Sequence, residues 1–265
     1  DILPQLEFLD VDFAFMTVTE EVPIQPILDA LGIVYNGSNN LLTALSLNKK
    51  FVKVLLEYYG VLLPKDEVVY KNHPIARPSL ITYPCIVKPV SSGESCGLSL
   101  VKNDKEFKKA LQSAFKHDNE ALIEEYIDGQ EITIPVIGEL ILPGVKITSP
   151  SGVWDYERKD NLEVVLEAVT KKEKNLNKEI SDLVKKIKKA FDLRSFWRID
   201  AIVKNGKIYF LEINTQPCLA GGQTGLIPTS IRGLGWEHYD FLSYIAEDVL
   251  SQHKPNFKHK IKIVS

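Results

Sequence analysis

The sequence predicts an α/β protein, of a length compatible with one large domain or with two to three small lobes around a shared cleft. Segments with apolar residues at helical spacing (24–31, 48–60, 104–117 and 176–192) alternate with short apolar runs of strand type (85–103, 121–147 and 195–214). The chain has 265 residues, 45% of them apolar, enough to bury a substantial core.

In chain order, EVPIQPILDALGIVYNGS (21–38) predicts a helix over 24–31, with Ile24, Ile27, Leu28 and Leu31 on one face and Gly32 closing it. A short strand follows, and the stretch reads as the tail of an α/β unit. NKKFVKVLLEYYG (48–60) is a second helix, capped by Asn48 and ended by Gly60. Lys49 and Lys50 stand where the helix dipole favours anions, so a negative group is expected nearby. Residues 61–84 contain Pro64, Pro74, Pro78 and Pro84 and read as a connector with short extended pieces. CIVKPVSSGESCGLSLVKN (85–103) is two β runs joined by a small-residue loop, and DKEFKKALQSAFKH (104–117) aligns Phe107, Ala110, Leu111 and Phe115 on a helix. Residues 121–147 read as one further set of strands, with turns at Asp128-Gly129 and Gly138-Glu139. The longest helix, 176–192, carries the stripe Ile180, Leu183, Val184, Ile187 and Phe191, and its lysine run reads as a solvated outer face. SFWRIDAIV (195–203) and KIYFLEIN (207–214) form a hairpin through Asn205-Gly206.

Charge and composition exclude several classes. A net charge of −3 leaves no basic excess for a nucleic-acid backbone. The longest apolar runs, ELILPGV and VDFAFMTV, fall short of the roughly 20 residues of a spanning helix, so no membrane partner is expected. Cys85, Cys96 and Cys218 have no paired spacing for disulfides, zinc or redox chemistry, which fits a cytoplasmic location. The scattered histidines read as core or surface residues rather than metal ligands. The chain opens at Asp1 without a methionine or a secretory pattern, and residues upstream of it are expected.

The candidate chemistry centres on FLEINTQPCL (210–219), where Glu212 and Asn214 interrupt an apolar run. Strand alternation puts Arg198 and Asp200 on one face of the first hairpin strand, and Glu212 and Asn214 on one face of the second. A strict two-residue turn would separate Asp200 from Glu212. A three-residue loop with Gly206 in the left-handed region would bring all four together. Two carboxylates about 4 Å apart repel by roughly 4 kcal/mol at a dielectric of 20, so the second arrangement calls for a cation such as magnesium. In the first arrangement the same acids are structural partners of Arg198 or lysines. VSSGESCGLS (90–99) offers backbone N–H groups to a polyphosphate, with Lys88 just before it, but matches neither a Walker sequence nor a dinucleotide fingerprint.

These residues resemble the ATP-grasp carboxylate–amine ligases, and most closely the D-alanine:D-alanine ligase group. The likeness spans roughly residues 24–250 and rests on LDALGIVYNGS, TALSLNKKFVK, CIVKPVSSGESCGLSLV, LIEEYIDGQEITIPVIG, SPSGVWDYERKD, WRIDAIVKNGKIYFLEINTQP and GLIPTSIRGLGWEHYDFL, in that order. It implies an ATP-grasp fold of two α+β lobes sandwiching ATP: a partial N-terminal α/β domain (1–36), a central lobe (37–124) and a C-terminal lobe (125–265) with the magnesium and substrate sites. It also implies an ATP-dependent ligase that phosphorylates a carboxylate and lets an amine attack the acyl phosphate. By position, Lys49 and Lys88 resemble the lysines on the α- and β-phosphates, and Lys159 the one reaching the γ-phosphate. Glu124, Tyr126 and Ile127 would line the adenine site, and Glu131 would accept from the ribose. Asp200, Glu212 and Asn214 match the ligands of magnesium, with manganese as an alternative, and Arg198 matches the cation beside the transferring phosphoryl. Ser95 would touch substrate, and Cys218 would contribute only backbone. Amino-acid-like small molecules are the expected partners, and the sequence leaves open whether the chain forms the homodimers common in the family.

The substrate side departs from the family. MTVTEEVPIQ (16–25) replaces a glycine-rich HG-to-EDG segment, and the earlier glutamate that helps hold the first D-alanine has no counterpart. Asp160 follows Lys159 where tyrosine is usual, removing the partner of Ser95, and CLAGGQTGLIP (218–228) is about two residues longer than the family loop. These changes leave D-alanine specificity open. The competing expectation is a non-catalytic nucleotide-binding module derived from such a ligase.

Overall fold

The computed structural model describes residues 13–17, 22–73, 80–93, 96–149, 164–219 and 225–253. Near the N-terminus, β1 (Phe13–Ala14) pairs in parallel with β2 (Val34–Tyr35), and α1 (Gln25–Leu31) lies between them in sequence. Gly32 ends α1 at φ 67°, a left-handed cap that lets the Ile33 N–H reach back to the Leu28 carbonyl. Met16, Leu28 and Ile33 bury the small core of this unit.

The helix expected over 48–60 is present as α3 (Lys49–Tyr58), and a further helix, α2 (Asn40–Leu47), precedes it. Asn39 accepts from the Leu42 N–H at 2.9 Å, and Asn48 accepts from the Phe51 N–H at 2.8 Å, so each helix has its own cap.

A four-stranded antiparallel sheet has the order β3-β6-β4-β5, comprising β3 (Asp66–Tyr70), β4 (Cys85–Pro89), β5 (Ser99–Val101) and β6 (Glu120–Glu125). Cys85, Val87, Ala121 and Ile123 share one face and pack under α4 (Asp104–Ala114) through Phe107, Ala110 and Leu111. Alternation therefore turns Ile86, Lys88 and Glu124 to the other face. A reciprocal cap starts α4: Asn103 accepts from the Glu106 N–H while Glu106 accepts from the Lys102 N–H.

The second sheet runs β10-β9-β7-β11-β12, with β8 also on β7. Its strands are β7 (Gln130–Ile137), β8 (Leu140–Ile141), β9 (Val145–Thr148), β10 (Val165–Ala168), β11 (Phe196–Lys204) and β12 (Lys207–Asn214). Ile132, Ile134, Ile199 and Phe210 on one face meet α3 and α5 (Lys174–Ala190), whose stripe of Ile180, Leu183, Val184 and Ile187 is buried as the spacing predicts. Beyond the start of β11, α6 (Leu226–Arg232) and α7 (His238–His253) cover Ile137, Leu142 and Phe196.

The stretch 121–147 is not one set of strands. β6 belongs to the four-stranded sheet and β7 to the larger one, so 126–129 is a crossing between sheets rather than a hairpin turn. Gly129 makes the crossing possible. A Cβ there would lie 2.5 Å from the Val203 carbonyl oxygen and 2.6 Å from Ile202 Cγ2. Gly129→Ala is accordingly expected to cost about 1–3 kcal/mol, read as a lower denaturant midpoint with an unchanged m-value.

Candidate active site

The hairpin of β11 and β12 decides the site, and it does so in neither of the two ways its sequence suggests. Its turn is the strict two-residue kind: Lys204 pairs with Lys207, and Asn205 (φ 51°) and Gly206 (φ 73°) both take positive φ. That turn opposes Ala201 to Phe210, a register that alone would set Leu211 against Asp200. A β-bulge intervenes between Asp200 and Ala201, and beyond it Asp200 pairs with Glu212 and Arg198 with Asn214. The expected three-residue loop is thus corrected. The extra residue is Leu211, and core burial shows the same shift, passing from Ile208 and Phe210 to Ile213. The turn stays two residues long because Asn-Gly adopts that geometry without strain. The parity change is made in mid-strand, where Leu211 is accommodated on the cleft side.

Asp200, 9% exposed, is the best-anchored acid of this face. It accepts from Arg198 Nε at 3.0 Å and Nη2 at 2.8 Å, from Thr133 Oγ1 at 2.6 Å and from Asn214 Nδ2 at 3.0 Å. The end of β12 is fixed from outside the sheet, since the Thr215 hydroxyl lies 3.1 Å from that of Ser46 on α2. Asp200, Glu212 and Asn214 are hard oxygen donors of the sort magnesium takes. Among the described residues no three His, Cys, Asp or Glu side chains converge on a metal position. Two carboxylates and an amide nonetheless fit an ion that completes its shell with water and phosphate oxygens.

The four-stranded sheet presents the opposite wall. Lys88 Nζ sits 2.5 Å from Glu124 Oε2, and Glu124 Oε1 is 2.5 Å from Lys53 Nζ. Lys53 also reaches Asp66 at 2.9 Å and the Pro64 carbonyl at 3.2 Å, and Asp66 is paired with Lys50. Burial on its own would raise the Glu124 pKa, but Lys88 and then Lys53 outweigh it and hold the carboxyl down to about 2. Burial also works against the charge on Lys88, yet Glu124 and Glu212 raise its pKa above the ordinary lysine value. Lys49 differs. Burial, assisted by Lys88, lowers its pKa despite the pull of Glu212 and Glu124. Its ammonium donates to the Ser92 carbonyl in the β4–β5 loop, and an anion entering here would relieve that shortage of negative charge.

Between the walls lies a cleft of about 940 Å³, solvent at its mouth included. Lys49, Lys88, Glu124, Tyr126, Ile127, Glu131, Arg198, Asp200 and Glu212 all line it, although they come from α3, both sheets and the crossing between them. Asn214 adjoins it through Asp200. Cys218 is exposed and forms no disulfide. Ser95, Lys159 and Asp160 lie outside the described residues, as does part of the loop after Cys218. Sequence reasoning passed over Lys53, Asp66 and Thr133. A signal for Lys53 was present, because Lys49, Val52, Lys53 and Leu56 recur at the spacing of one helical face, so a lysine occupies the stripe that α3 buries.

Residues 55–247 match the family described as D-ala D-ala ligase C-terminus. The chain belongs to that family. D-alanine–D-alanine ligases are ATP-dependent enzymes that form a C–N bond, and the two-sheet architecture is their ATP-grasp fold. The D-alanine–D-alanine ligase of Aquifex aeolicus is 31% identical over 227 residues, covering 85% of this chain and 77% of the relative. D-alanine–D-alanine ligase A of Bacillus cereus is 32% identical over 247 residues, covering 91% and 81%. Among solved structures, the Bacillus anthracis D-alanine–D-alanine ligase complexed with ATP superposes with a TM-score of 0.82 at 27% identity, over 97% of this chain and 84% of that one. VanG D-Ala:D-Ser ligase from Enterococcus faecalis superposes with a TM-score of 0.73 at 26% identity, over 90% and 73%. Among the described residues no helix is long and apolar enough to cross a membrane.

Proposed function

We propose that this D-alanine–D-alanine ligase family member activates an amino-acid carboxylate with ATP and joins it to an amine in the cytoplasm. The observation that carries the reading is the pairing of Asp200 with Glu212 on one wall of a cleft whose other wall presents Lys88, with Lys49 beside it. Phosphoryl transfer needs little covalent help from a protein; placement and charge neutralisation supply most of the rate. Lys49 and Lys88 would hold the α- and β-phosphates, and Lys159 the γ-phosphate. Glu124, Tyr126 and Ile127 would border the adenine, and Glu131 the ribose. Asp200, Glu212 and Asn214 would hold magnesium, which when bound supplies charge neutralisation at the phosphate oxygens. Arg198, already held by Asp200 in two hydrogen bonds, is oriented to stabilise the oxyanion formed as the amine attacks the acyl phosphate. Ser95 is assigned to the substrate.

ADP and phosphate are expected only when a carboxylate and an amine substrate are both supplied, with a ligated product found by mass; D-alanine is the first candidate, alone and paired with D-serine. Nucleotide binding without ADP release across a broad amino-acid panel would instead identify a non-catalytic binding module.

A further inference from the structure

A file of alternating charges runs behind the nucleotide cleft, from Lys50, partly exposed at its outer end, through the buried side chains of Asp66, Lys53, Glu124 and Lys88. Its middle member, Lys53, is 1% exposed and does not line the cleft, so it cannot touch a ligand there. Burying an ammonium is costly, and the cost is met only by close partners, here Asp66, Glu124 and the Pro64 carbonyl. Those partners tie together α3, β3, the connector before β3, and β6.

Glu124 offers one oxygen to Lys53 and the other to Lys88. Lys88 therefore has two claims on it, from Glu124 inside the lobe and from any phosphate in the cleft. If Lys88 turned to a phosphate and Glu124 had no other cation, a buried carboxylate would be left unpaired, a penalty opposing nucleotide binding. With Lys53 in place, Glu124 keeps a partner at 2.5 Å.

We propose that Lys53 is a positioning residue for nucleotide binding: it holds the Glu124 carboxylate ionised and in place, so that Lys88 is released to the phosphates at little cost. The inference rests on the ligase reading of the cleft. Lys53→Met is expected to weaken magnesium-ATP binding to the folded protein by roughly 10–100-fold, the range seen when the support of a ligand-binding group is removed. Its effect should fall on KM for ATP more than on kcat. The acid limb of the binding profile should also move to higher pH, because Glu124 loses one of the cations that keep it ionised. Lys53→Arg, which keeps the charge, should restore much of the affinity. Lys53→Gln, which keeps a donor without the charge, provides the same comparison if the methionine variant does not fold.

Equal ATP affinity and an unmoved acid limb in a folded Lys53→Met or Lys53→Gln protein would overturn the proposal while leaving the ligase reading intact. Unfolding of all three variants would also overturn it, marking Lys53 as a stabilising group alone. Wild-type protein that fails to bind magnesium-ATP would remove the ligase reading itself, and this inference with it.

Discussion

Glu212→Gln is expected to lower magnesium-dependent ligation by roughly 100-fold or more while the unfolding transition stays where it is. The amide keeps the volume of the side chain, so packing beside Leu211 and Ile213 is undisturbed; what disappears is one of two negative charges paired across the hairpin at Asp200. The second consequence lies across the cleft, where Glu212 attracts Lys49 and Lys88. Steady-state rates titrated with magnesium measure the effect, and more metal should be required to reach the residual rate. Wild-type activity and an unchanged magnesium requirement would remove Glu212 from the metal site.

The largest loss of stability is expected from Glu124→Ala. Glu124 is 2% exposed and lies between two buried lysines, so truncation leaves Lys53 and Lys88 without the charge they share. Breaking a buried pair in this way costs about 3–5 kcal/mol, against a total of about 5–15 kcal/mol for a typical domain. The melting temperature should fall by on the order of 10 °C. The pH dependence has a definite sign. The carboxyl is held at about 2 in the fold, below the roughly 4.3 of an unfolded chain, so its stabilisation is complete above about pH 4.3 and is lost as pH falls toward 2. Glu124→Gln removes this titration, and the variant should show a flatter dependence of stability over that interval. An acid limb identical to wild type would show that Glu124 is not the group responsible.

Local pattern carried much of the architecture. The stripe from Ile180 to Ile187 on α5, the Asn48 cap, Gly32 at the end of α1 and the Asn205-Gly206 turn are all set by interactions within a few residues, and the structure contains each of them. Most of the proposed site was legible too, because hard-donor and phosphate-binding side chains interrupt strands that are otherwise apolar. The break in alternation from Ile208 and Phe210 to Ile213 was equally visible, and it marks the bulge that a choice between turn lengths overlooked.

The sequence by itself determined which strands carry Arg198, Asp200, Glu212 and Asn214, since the direction of a side chain along a strand follows from its position. Only the tertiary structure decided that Leu211 absorbs the parity change, that 126–129 carries the chain from one sheet to the other, and that Lys53 lies buried between Asp66 and Glu124. The reason is the range of the forces. Caps, turns and stripes answer to neighbours in the chain, whereas a bulge or a buried charge is tolerated only when partners distant in sequence, here up to 71 residues from Lys53, meet its hydrogen-bonding and electrostatic demands.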